Sequence, residues 1–422
     1  MLNDTVTDPD AGSSIQHSTL NIQHSPPPQR VAITGIGLIS PFGKGKAAAL
    51  DALRNAKSGI RPITSIDTSA LNCRIAGEVP AGDFEPGKFD RFTNFALVAA
   101  EEAVQQAGLV AADPHRFGVI IGTGMGGAET LDGGYKRIYA DAQPRVAPTM
   151  IAWSMYNAAA SAVSTRFGAK GPAYAVVSAC ASSAHAIGQA FQIIRAGQAD
   201  VMLAGGADAP LTFGVIRAWE GMRVLAPDGV CRPFSADRQG LVLAEGAAVL
   251  VLESWEHAER RGAAIVGEIV GFGITSDAGH ITDPSADGAA RAMQLALDGL
   301  APGDVGYINA HGTGTRANDP TETAAIKSVF GDAAYGIPVS STKSLHGHAM
   351  GASGAIETAC SLLALNESFL PPTINLDAPD PQCDLDYVPN AAREARVALF
   401  LSNSFGFGGM NGVLAVRTIH GL

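Results

Sequence analysis

Apolar runs that lead directly into glycine-rich turns occur twice along this chain in the same order, and this repetition restricts the fold more than any other feature. Residues 117–124 (FGVIIGTG) and residues 305–314 (VGYINAHGTG) each end in glycines. Residues 175–180 (AVVSAC) lead into a helical pattern, and so do residues 337–343 (IPVSSTK). Strands that alternate with helices in this way build mainly parallel sheets covered by helices. The sequence therefore predicts an α/β fold.

The repetition also predicts an internal duplication. Residues 31–265 are expected to form the first half and residues 266–422 the second, with a site at the seam between them. Residues 1–30 are polar and end close to three consecutive prolines, so we expect a disordered tail there.

Composition excludes several classes of protein. Hydrophobic residues make up 46 % of the chain, which is too apolar for a disordered protein. A net charge of −11 without a basic tract argues against nucleic-acid binding. No apolar stretch reaches the roughly 18 residues that a membrane span requires. Five scattered cysteines do not favour a disulfide framework, so we expect an enzyme of the cytoplasm.

Cys180 stands where the strand in residues 175–180 meets a helix that begins near Ala181. A thiol at this position faces the positive end of the helix dipole and unpaired backbone N–H groups, which favour the thiolate. The sequence therefore predicts Cys180 as a nucleophile. The cysteines interpreted as small buried side chains are Cys73, Cys231, Cys360 and Cys383.

A nucleophilic cysteine needs partners that handle protons and stabilise an oxyanion. Of ten histidines, only His311, His346 and His348 lie in glycine-rich turns after apolar strands. His348 precedes a helix, whose dipole disfavours an additional positive charge. A neutral imidazole there can donate a hydrogen bond without acting as an acid. Because His311 and His348 both lie in glycine-rich turns that follow apolar strands, both are candidate active-site residues.

Residues 402–411 (SNSFGFGGMN) form a third glycine-rich loop. Its glycines would allow the backbone to approach a substrate carbonyl, so a main-chain N–H could complete an oxyanion hole. Asp319 and Glu322 follow His311 closely in the sequence. They are either a capping pair or carboxylates that orient a histidine or lysine.

Other motifs in the chain lack the context that their usual function needs. Residues 122–127 satisfy GxGxxG, but no acidic residue follows a second strand at the distance that a dinucleotide site requires. Residues 340–343 match SxxK without the partner motifs of penicillin-binding enzymes. His346 and His348 have no placed third ligand for a zinc ion.

Taken together, these motifs resemble the β-ketoacyl-acyl-carrier-protein synthases, specifically the elongating Cys-His-His class of thiolase-fold condensing enzymes. The resemblance runs from Val31 to the C-terminus. Residues 178–185 (SACASSAH) resemble the nucleophile signature, and residues 311–315 (HGTGT) resemble the first histidine motif. Residues 341–357 resemble the lysine and second-histidine motif, and residues 403–409 the final loop. The resemblance implies a duplicated fold layered αβαβα, with two mixed sheets.

The resemblance also implies a reaction, that of fatty-acid elongation. Cys180 would accept an acyl group from the phosphopantetheine of an acyl carrier protein. Malonyl-acyl carrier protein would then lose carbon dioxide, and its enolate would attack the thioester to give a 3-oxoacyl product. His311 and His348 would support decarboxylation and hold the enolate oxygen. The main-chain N–H groups of Cys180 and Phe405 would form the other oxyanion hole.

Further residues are assigned by the same resemblance. Lys343 and Glu357 would fix the environment of the histidines, and Asp319 and Glu322 are further candidates for support. The residues implied to contact substrate are Thr313, Thr315, Met125, Phe407 and Met410. The residues implied to form a monovalent-cation site are Asn309, Glu357, Ser402 and Asn403. No organic cofactor is implied, because a thioester already acidifies its α-carbon.

The implied partners are an acyl carrier protein, acyl and malonyl thioesters, and a second copy of the chain in a homodimer. His346 and Met410 stand where this family commonly has threonine, which leaves the substrate's length and polarity open. One alternative is a type II polyketide or polyene ketosynthase of a specialised pathway. A non-catalytic chain-length factor is disfavoured by the presence of Cys180. A degradative thiolase is disfavoured because residues 405–411 contain no second cysteine.

Overall fold

The structure is a computed structural model that describes residues 28–84, 87–109, 113–143 and 145–422. Most of the predicted tail therefore lies outside the described residues. The strands are β1 (Val31–Ser40), β2 (Gly43–Lys44), β3 (Arg61–Pro62), β4 (Ile75–Ala76), β5 (Phe117–Gly122), β6 (Ala173–Val176), β7 (Val201–Asp208), β8 (Gly246–Ser254), β9 (Gly267–Ser276), β10 (Val305–Asn309), β11 (Val339–Ser340), β12 (Phe369–Leu370), β13 (Arg393–Glu394), β14 (Leu399–Gly406) and β15 (Met410–Thr418).

The α-helices are α1 (Lys46–Arg54), α2 (Arg91–Ala107), α3 (Ala128–Tyr139), α4 (Met150–Ser154), α5 (Ala158–Phe167), α6 (Ser182–Arg195), α7 (Phe213–Met222), α8 (Trp255–Arg260), α9 (Ala286–Ala296), α10 (Asn318–Phe330), α11 (Lys343–His346) and α12 (Ser353–Asn366). Within the described ranges, no helix is both long enough and apolar enough to cross a membrane.

Two sets of five strands have the same spatial order. The first set runs β6-β5-β7-β8-β1, and the second runs β11-β10-β14-β15-β9. In each set the first three strands are parallel, and the last two pair antiparallel. This equivalence confirms the predicted duplicated α/β fold. A short antiparallel contact between β1 and β9 joins the two expected sheets into one mixed sheet.

The chain is layered around two central helices. Helices α6 and α12 pack against each other and against strands of both sets. Helices α2 and α5 cover the outer face of the first set, and α9 covers the second, with α10 packed on α9 and in the same apolar cluster. The layers are therefore outer helices, the first set of strands, the two central helices, the second set of strands and outer helices, as the resemblance implied. The predicted helix starts near Ala181 and Gly351 correspond to α6 and α12.

Glycine pairs allow the outer helices to approach the first strand of each half. A Cβ atom added to Gly35 or Gly37 of β1 would lie 2.1 or 2.0 Å from a carbonyl oxygen of α2. A Cβ atom added to Gly271 or Gly273 of β9 would lie 1.9 or 1.8 Å from a carbonyl oxygen of α9. No side chain fits at such distances. The same glycine spacing thus produces the same helix-to-strand packing in both halves.

Candidate active site

Cys180 lies in the sharp turn between β6 and α6, where the sequence predicted a nucleophile. Ala179 has a φ of 50°, a conformation that non-glycine residues rarely adopt. The Ser178 N–H donates to Ser182 Oγ at 2.9 Å, and Ser182 Oγ donates to the Ala179 carbonyl at 2.6 Å. These bonds stabilise a turn of the kind that presents a nucleophile at the end of a strand.

The structure brings together the three predicted reactive side chains. One ligand-type atom from each of Cys180, His311 and His348 lies within 4.8 Å of the other two. The two imidazole rings are 5.5 Å apart and nearly perpendicular, at 84°. All three side chains are buried and line one cavity. A single thioester could therefore reach the sulfur and both rings.

Hydrogen bonds at Nδ1 determine the tautomers of the two histidines. The Met350 N–H donates to His348 Nδ1 at 3.2 Å, and Ser353 Oγ lies 2.8 Å from the same atom. Lys343 Nζ lies 3.4 Å from His311 Nδ1. Because Nδ1 accepts in both rings, the proton of each neutral imidazole sits on Nε2. Two Nε2–H donors suit an oxyanion better than a metal ion, which needs an unprotonated nitrogen.

Burial and charge keep both imidazoles neutral. Burial and the nearby Lys343 ammonium hold the pKa of His311 and the pKa of His348 well below the ordinary histidine value. Burial also raises the pKa of Cys180 to about 11, although Lys343 and the Phe407 N–H act in the opposite direction. Desolvation therefore opposes the thiolate that the helix N-terminus is predicted to favour.

The main-chain donor beside Cys180 belongs to Phe407, two residues after the predicted Phe405. The Phe407 N–H hydrogen-bonds to Cys180. Phe405 instead pairs with Asn411 across β14 and β15, and its ring lies 5.9 Å from that of His311. The sequence could not separate these two positions, because both precede a glycine in the same loop. The structure thus favours Phe407 as the second donor.

A fully buried ion pair lies behind His311. Lys343 Nζ pairs with Glu357 Oε1, and neither side chain is exposed to solvent. Lys343 Nζ also donates to the main-chain carbonyl of His311 at 2.6 Å. Burial raises the pKa of Glu357 despite this pairing. Both residues therefore lie where the sequence expected them, against the first histidine.

Carboxylates of α10 hold the loop that carries His311. Glu322 accepts hydrogen bonds from the N–H groups of His311 and Gly312, both at 2.8 Å. Asp319 accepts from the N–H groups of Gly314 and Phe234, at 3.2 and 2.7 Å. The sequence left open whether Asp319 and Glu322 are a capping pair or orient a histidine. In the structure these carboxylates bind the backbone of the loop that carries His311.

The predicted substrate contacts fall into two groups. Thr313, Thr315 and Phe407 line the cavity, together with Trp219, whose ring stacks on Phe407 at 5.8 Å. Met125 packs in the apolar cluster around Trp219, but it is not among the residues that line the cavity. Met410 is 39 % exposed at the start of β15 and does not line the cavity either.

The residues expected to hold a monovalent cation carry unpartnered oxygens. Asn309 and Ser402 are paired neighbours in β10 and β14, and Asn403 follows directly. Among the described residues, Asn309 Oδ1 and Asn403 Oδ1 are buried without a hydrogen-bond partner, and so is Glu357 Oε2, whereas Glu357 Oε1 pairs with Lys343. Ser402 Oγ accepts from Thr358 Oγ1 at 3.1 Å. A cation bound by oxygen ligands fits this set.

His346 has no part in this cluster. Its Nε2 lies 3.0 Å from Thr342 Oγ1, and its ring meets that of Phe42 edge-on at 5.7 Å. Burial lowers the pKa of His346 to about 3. This departure from the family pattern therefore lies in the packing behind the loop.

Two buried residues near the site were missed by the sequence reasoning. His185 Nε2 donates to the Asn411 carbonyl at 3.0 Å, and its Nδ1 lies 2.7 Å from Ser178 Oγ. His185 thus ties the nucleophile turn to the loop that carries Phe407. The second is Asp208, the buried last residue of β7. The only sign of it in the sequence was a charged residue directly after the apolar run in residues 201–207.

Comparison with solved structures gives the same architecture. The structure described as the ishigamide ketosynthase/chain length factor has a TM-score of 0.88 and 38 % identity, covering 93 % of this chain and 99 % of its own. A type II polyketide ketosynthase in complex with its acyl-carrier protein has a TM-score of 0.87 and 35 % identity, covering 93 % and 100 %. The fold and the site together define a thiolase-fold condensing enzyme.

Sequence comparison is more specific. The Beta-ketoacyl synthase, N-terminal domain, matches residues 28–258, and the Beta-ketoacyl synthase, C-terminal domain, matches residues 266–377. The chain is 47 % identical to Nodulation protein E of Rhizobium sp. (strain N33), over 93 % of this chain and 100 % of the relative. It is 44 % identical to 3-oxoacyl-[acyl-carrier-protein] synthase 2 of Staphylococcus aureus (strain N315), over 92 % and 98 %. This chain belongs to the β-ketoacyl synthase family.

Proposed function

We propose that this chain is an acyltransferase, a 3-oxoacyl-[acyl-carrier-protein] synthase that joins an acyl group on Cys180 to a malonyl unit with loss of carbon dioxide. The observation that carries the proposal is the convergence of Cys180, His311 and His348 on one buried cavity. Family membership and the relatives of this class support it. The competing reading as a chain-length factor has no explanation for a complete Cys-His-His cluster.

In the first half-reaction, Cys180 takes up the acyl group. Its sulfur attacks the carbonyl carbon of an acyl thioester, and the N–H groups of Cys180 and Phe407 hold the oxyanion that forms. The carbon–sulfur bond to pantetheine then breaks. The proton of the Cys180 thiol ends on the departing pantetheine thiol, so the exchange is balanced.

In the second half-reaction, the histidines hold the malonyl thioester. The bond from C2 to the carboxylate breaks, carbon dioxide leaves, and the electron pair becomes an enolate whose oxygen accepts from the Nε2–H groups of His311 and His348. Carbon C2 then attacks the acyl carbonyl, and the bond to the Cys180 sulfur breaks. The thiolate takes a proton from solvent, which regenerates the thiol. Neutral imidazoles suit this step, because they donate without being consumed as acids.

The proposed protein partner is an acyl carrier protein. A groove beside the cavity shares Thr315 and Ala317 with it and carries the exposed side chains of Arg223 and Arg316. Carrier proteins of this kind are acidic, so exposed arginines next to the cavity would complement them although the chain as a whole is at −11. One structural relative is a ketosynthase in complex with its acyl-carrier protein.

A homodimer is the proposed assembly. Strand β6 is one edge of the large sheet, and Tyr174 within it and Val177 directly after it are 37 % and 51 % exposed. Exposed apolar side chains continue onto the neighbouring helices, with Tyr139 in α3 and Ile151 in α4. A second copy of the same edge could cover this surface. Val177→Asp is expected to yield monomers in analytical ultracentrifugation, whereas the matched change Leu295→Asp on α9 is expected to leave dimers.

We also propose that a monovalent cation binds at Asn309, Glu357, Ser402 and Asn403. The buried, unpartnered oxygens of Asn309 and Asn403 support it, together with Glu357 Oε2, the oxygen of Glu357 that does not pair with Lys343. Its contribution would be to hold the ends of β10 and β14, and with them the two loops that follow. No reaction step passes through it. An organic cofactor is not part of the proposal.

A specialised pathway is the second candidate. One structural relative is a type II polyketide ketosynthase, another is the ishigamide ketosynthase/chain length factor, and one sequence relative is a nodulation protein. The chemistry at Cys180 would be the same, and the pathway would differ in the acyl chain that is accepted. The acyl group found on Cys180 when the protein is isolated would distinguish the two.

The test is reconstitution with acyl- and malonyl-carrier proteins. We expect carbon dioxide release and a 3-oxoacyl product two carbons longer than the acyl donor, both detected by mass spectrometry. Cys180→Ser is expected to abolish the product. Formation of the same product by Cys180→Ser, or no product from the unaltered protein with any acyl donor, would refute the proposal.

A further inference from the structure

Asp208, the last residue of β7, is a buried carboxylate for which the reaction described above has no use. Its side chain is 0 % exposed. Among the described residues, no lysine, arginine or histidine forms an ion pair with it. A buried carboxylate without a cation is costly unless hydrogen bonds compensate its charge. Burial accordingly raises the pKa of Asp208 to about 6.

Four donors compensate this charge, and they come from both halves of the chain. Oδ1 accepts from Thr123 Oγ1 at 2.7 Å and from the Met125 N–H at 2.9 Å. Oδ2 accepts from the Gly124 N–H at 2.7 Å and from the Gly351 N–H at 2.6 Å. The carboxylate therefore joins the loop after β5 to the loop that precedes α12.

The second of these loops carries His348. Gly351 follows Met350, whose N–H donates to His348 Nδ1 and so keeps the proton on Nε2. Met350 has a φ of 51°, which a non-glycine residue adopts only when its surroundings hold it there. The N–H of the next residue, Gly351, donates to Asp208, so the hydrogen bonds to His348 and to Asp208 come from consecutive residues.

The two loops touch each other without spare room. A Cβ atom added to Gly351 would lie 2.4 Å from the Gly124 nitrogen and 2.8 Å from Asp208 Oδ2. A shift of the carboxylate must therefore move the Gly351 backbone. Because Met350 is bonded to Gly351, the same shift would change the hydrogen bond that Met350 makes to His348.

We propose that Asp208 is a positioning residue for the decarboxylation step, holding the Met350–Gly351 backbone so that the Nε2–H of His348 points at the malonyl oxygen. This inference rests on the proposed function and assigns a part to a residue outside the Cys-His-His cluster. The turn of Cys180 is held separately, by hydrogen bonds of Ser178 and Ser182, and the charge of Asp208 raises the pKa of Cys180, so removing that charge would not slow acylation. Asp208 should thus affect the two half-reactions unequally.

Asp208→Asn tests the proposal most simply. Each carboxylate oxygen of Asp208 accepts hydrogen bonds from two donors. In Asp208→Asn the NH₂ group replaces one of these oxygens, and because it is itself a donor, two hydrogen bonds are lost in either orientation of the amide. We expect the rate of malonyl decarboxylation to fall at least about tenfold, because small displacements of a catalytic group have large effects. Acylation of Cys180, followed by intact-protein mass spectrometry, should stay within about threefold of the unaltered protein.

Asp200→Asn is the matched control. Asp200 lies just before the opposite end of β7 and pairs with Arg116 at 2.7 Å, far along the strand from the site. It should leave both half-reactions unchanged. Equal losses of acylation and decarboxylation in Asp208→Asn, or decarboxylation at the rate of Asp200→Asn, would overturn the proposal.

Asp208→Glu is a second test, which keeps the negative charge. If Asp208→Asn does not fold, Asp208→Glu is sufficient to test the proposal. The added methylene must push against Gly351, so a selective loss of decarboxylation is again expected. Normal decarboxylation in Asp208→Glu would show that the position of the carboxylate is unimportant and would overturn the proposal. If the unaltered protein shows neither acylation nor decarboxylation, the proposed function fails instead.

Discussion

Replacing His348 with alanine should separate the two half-reactions. The structure gives the enolate oxygen two donors, the Nε2–H groups of His348 and His311, and gives the acyl oxyanion two others, the N–H groups of Cys180 and Phe407. His348→Ala removes one donor from the first pair and none from the second. Decarboxylation should therefore suffer, and acylation should not.

The expected size of the loss follows from the kind of donor that is removed. His348 is 1 % exposed and neutral, and it is held by two contacts at Nδ1, so it is a preorganised donor in a water-poor site. Loss of one such oxyanion donor costs about 10²- to 10³-fold in kcat, or about 2.7–4 kcal/mol. We expect a loss of that size in decarboxylation, and acylation of Cys180 within about threefold of the unaltered protein.

The assay measures carbon dioxide release from malonyl-acyl carrier protein and, separately, the mass added to Cys180 by an acyl donor. His346→Thr is the matched control, because His346 lies two residues away on the same loop but faces Phe42 and Thr342. It should retain decarboxylation. If His348→Ala loses acylation and retains decarboxylation, or if His346→Thr loses as much decarboxylation as His348→Ala, the assignment of donors is wrong.

Three further outcomes are expected. Glu357→Gln leaves the buried Lys343 ammonium unpaired and should lower the free energy of unfolding by about 3–5 kcal/mol. The control Glu394→Gln removes an exposed pair with Arg54 and should change the free energy of unfolding little. Equal losses in the two variants would contradict the buried pair. Alkylation of Cys180 by iodoacetamide should accelerate about tenfold per pH unit from pH 7 to pH 10, because its pKa is about 11; a plateau near pH 8 would contradict this. Glu322→Gln weakens the hydrogen bonds that hold the loop of His311, so it should slow decarboxylation about tenfold without slowing acylation. Slower acylation with normal decarboxylation would show that the loop of His311 serves acylation instead.

Much of this site could be predicted because its signals are local in the sequence. A cysteine between a strand and a helix, and histidines in glycine turns after strands, are patterns that a few consecutive residues define. His311 and His348 both lie in the second half, His311 after β10 and His348 after β11, so they are not equivalent positions of the two halves, contrary to the prediction. The common strand order of those halves confirms the duplicated fold. The resemblance to a family then supplied the reaction.

Features that depend on distant contacts could not be predicted in this way. The desolvation that raises the pKa of Cys180 comes from burial by the whole fold and not from the neighbouring sequence. Phe405 and Phe407 are equivalent in sequence, and only the end of β14 distinguishes them. Asp208 contacts residues 143 positions away along the chain, so no local motif could reveal its part.

A single-turnover chase tests the central claim most directly. The protein is first loaded with an acyl group, which we expect to find only on the peptide that contains Cys180, and malonyl-acyl carrier protein is then added. The adduct should disappear at the rate at which the 3-oxoacyl product and carbon dioxide appear. An adduct that persists while product forms, or an acyl group carried on another residue, would contradict the account.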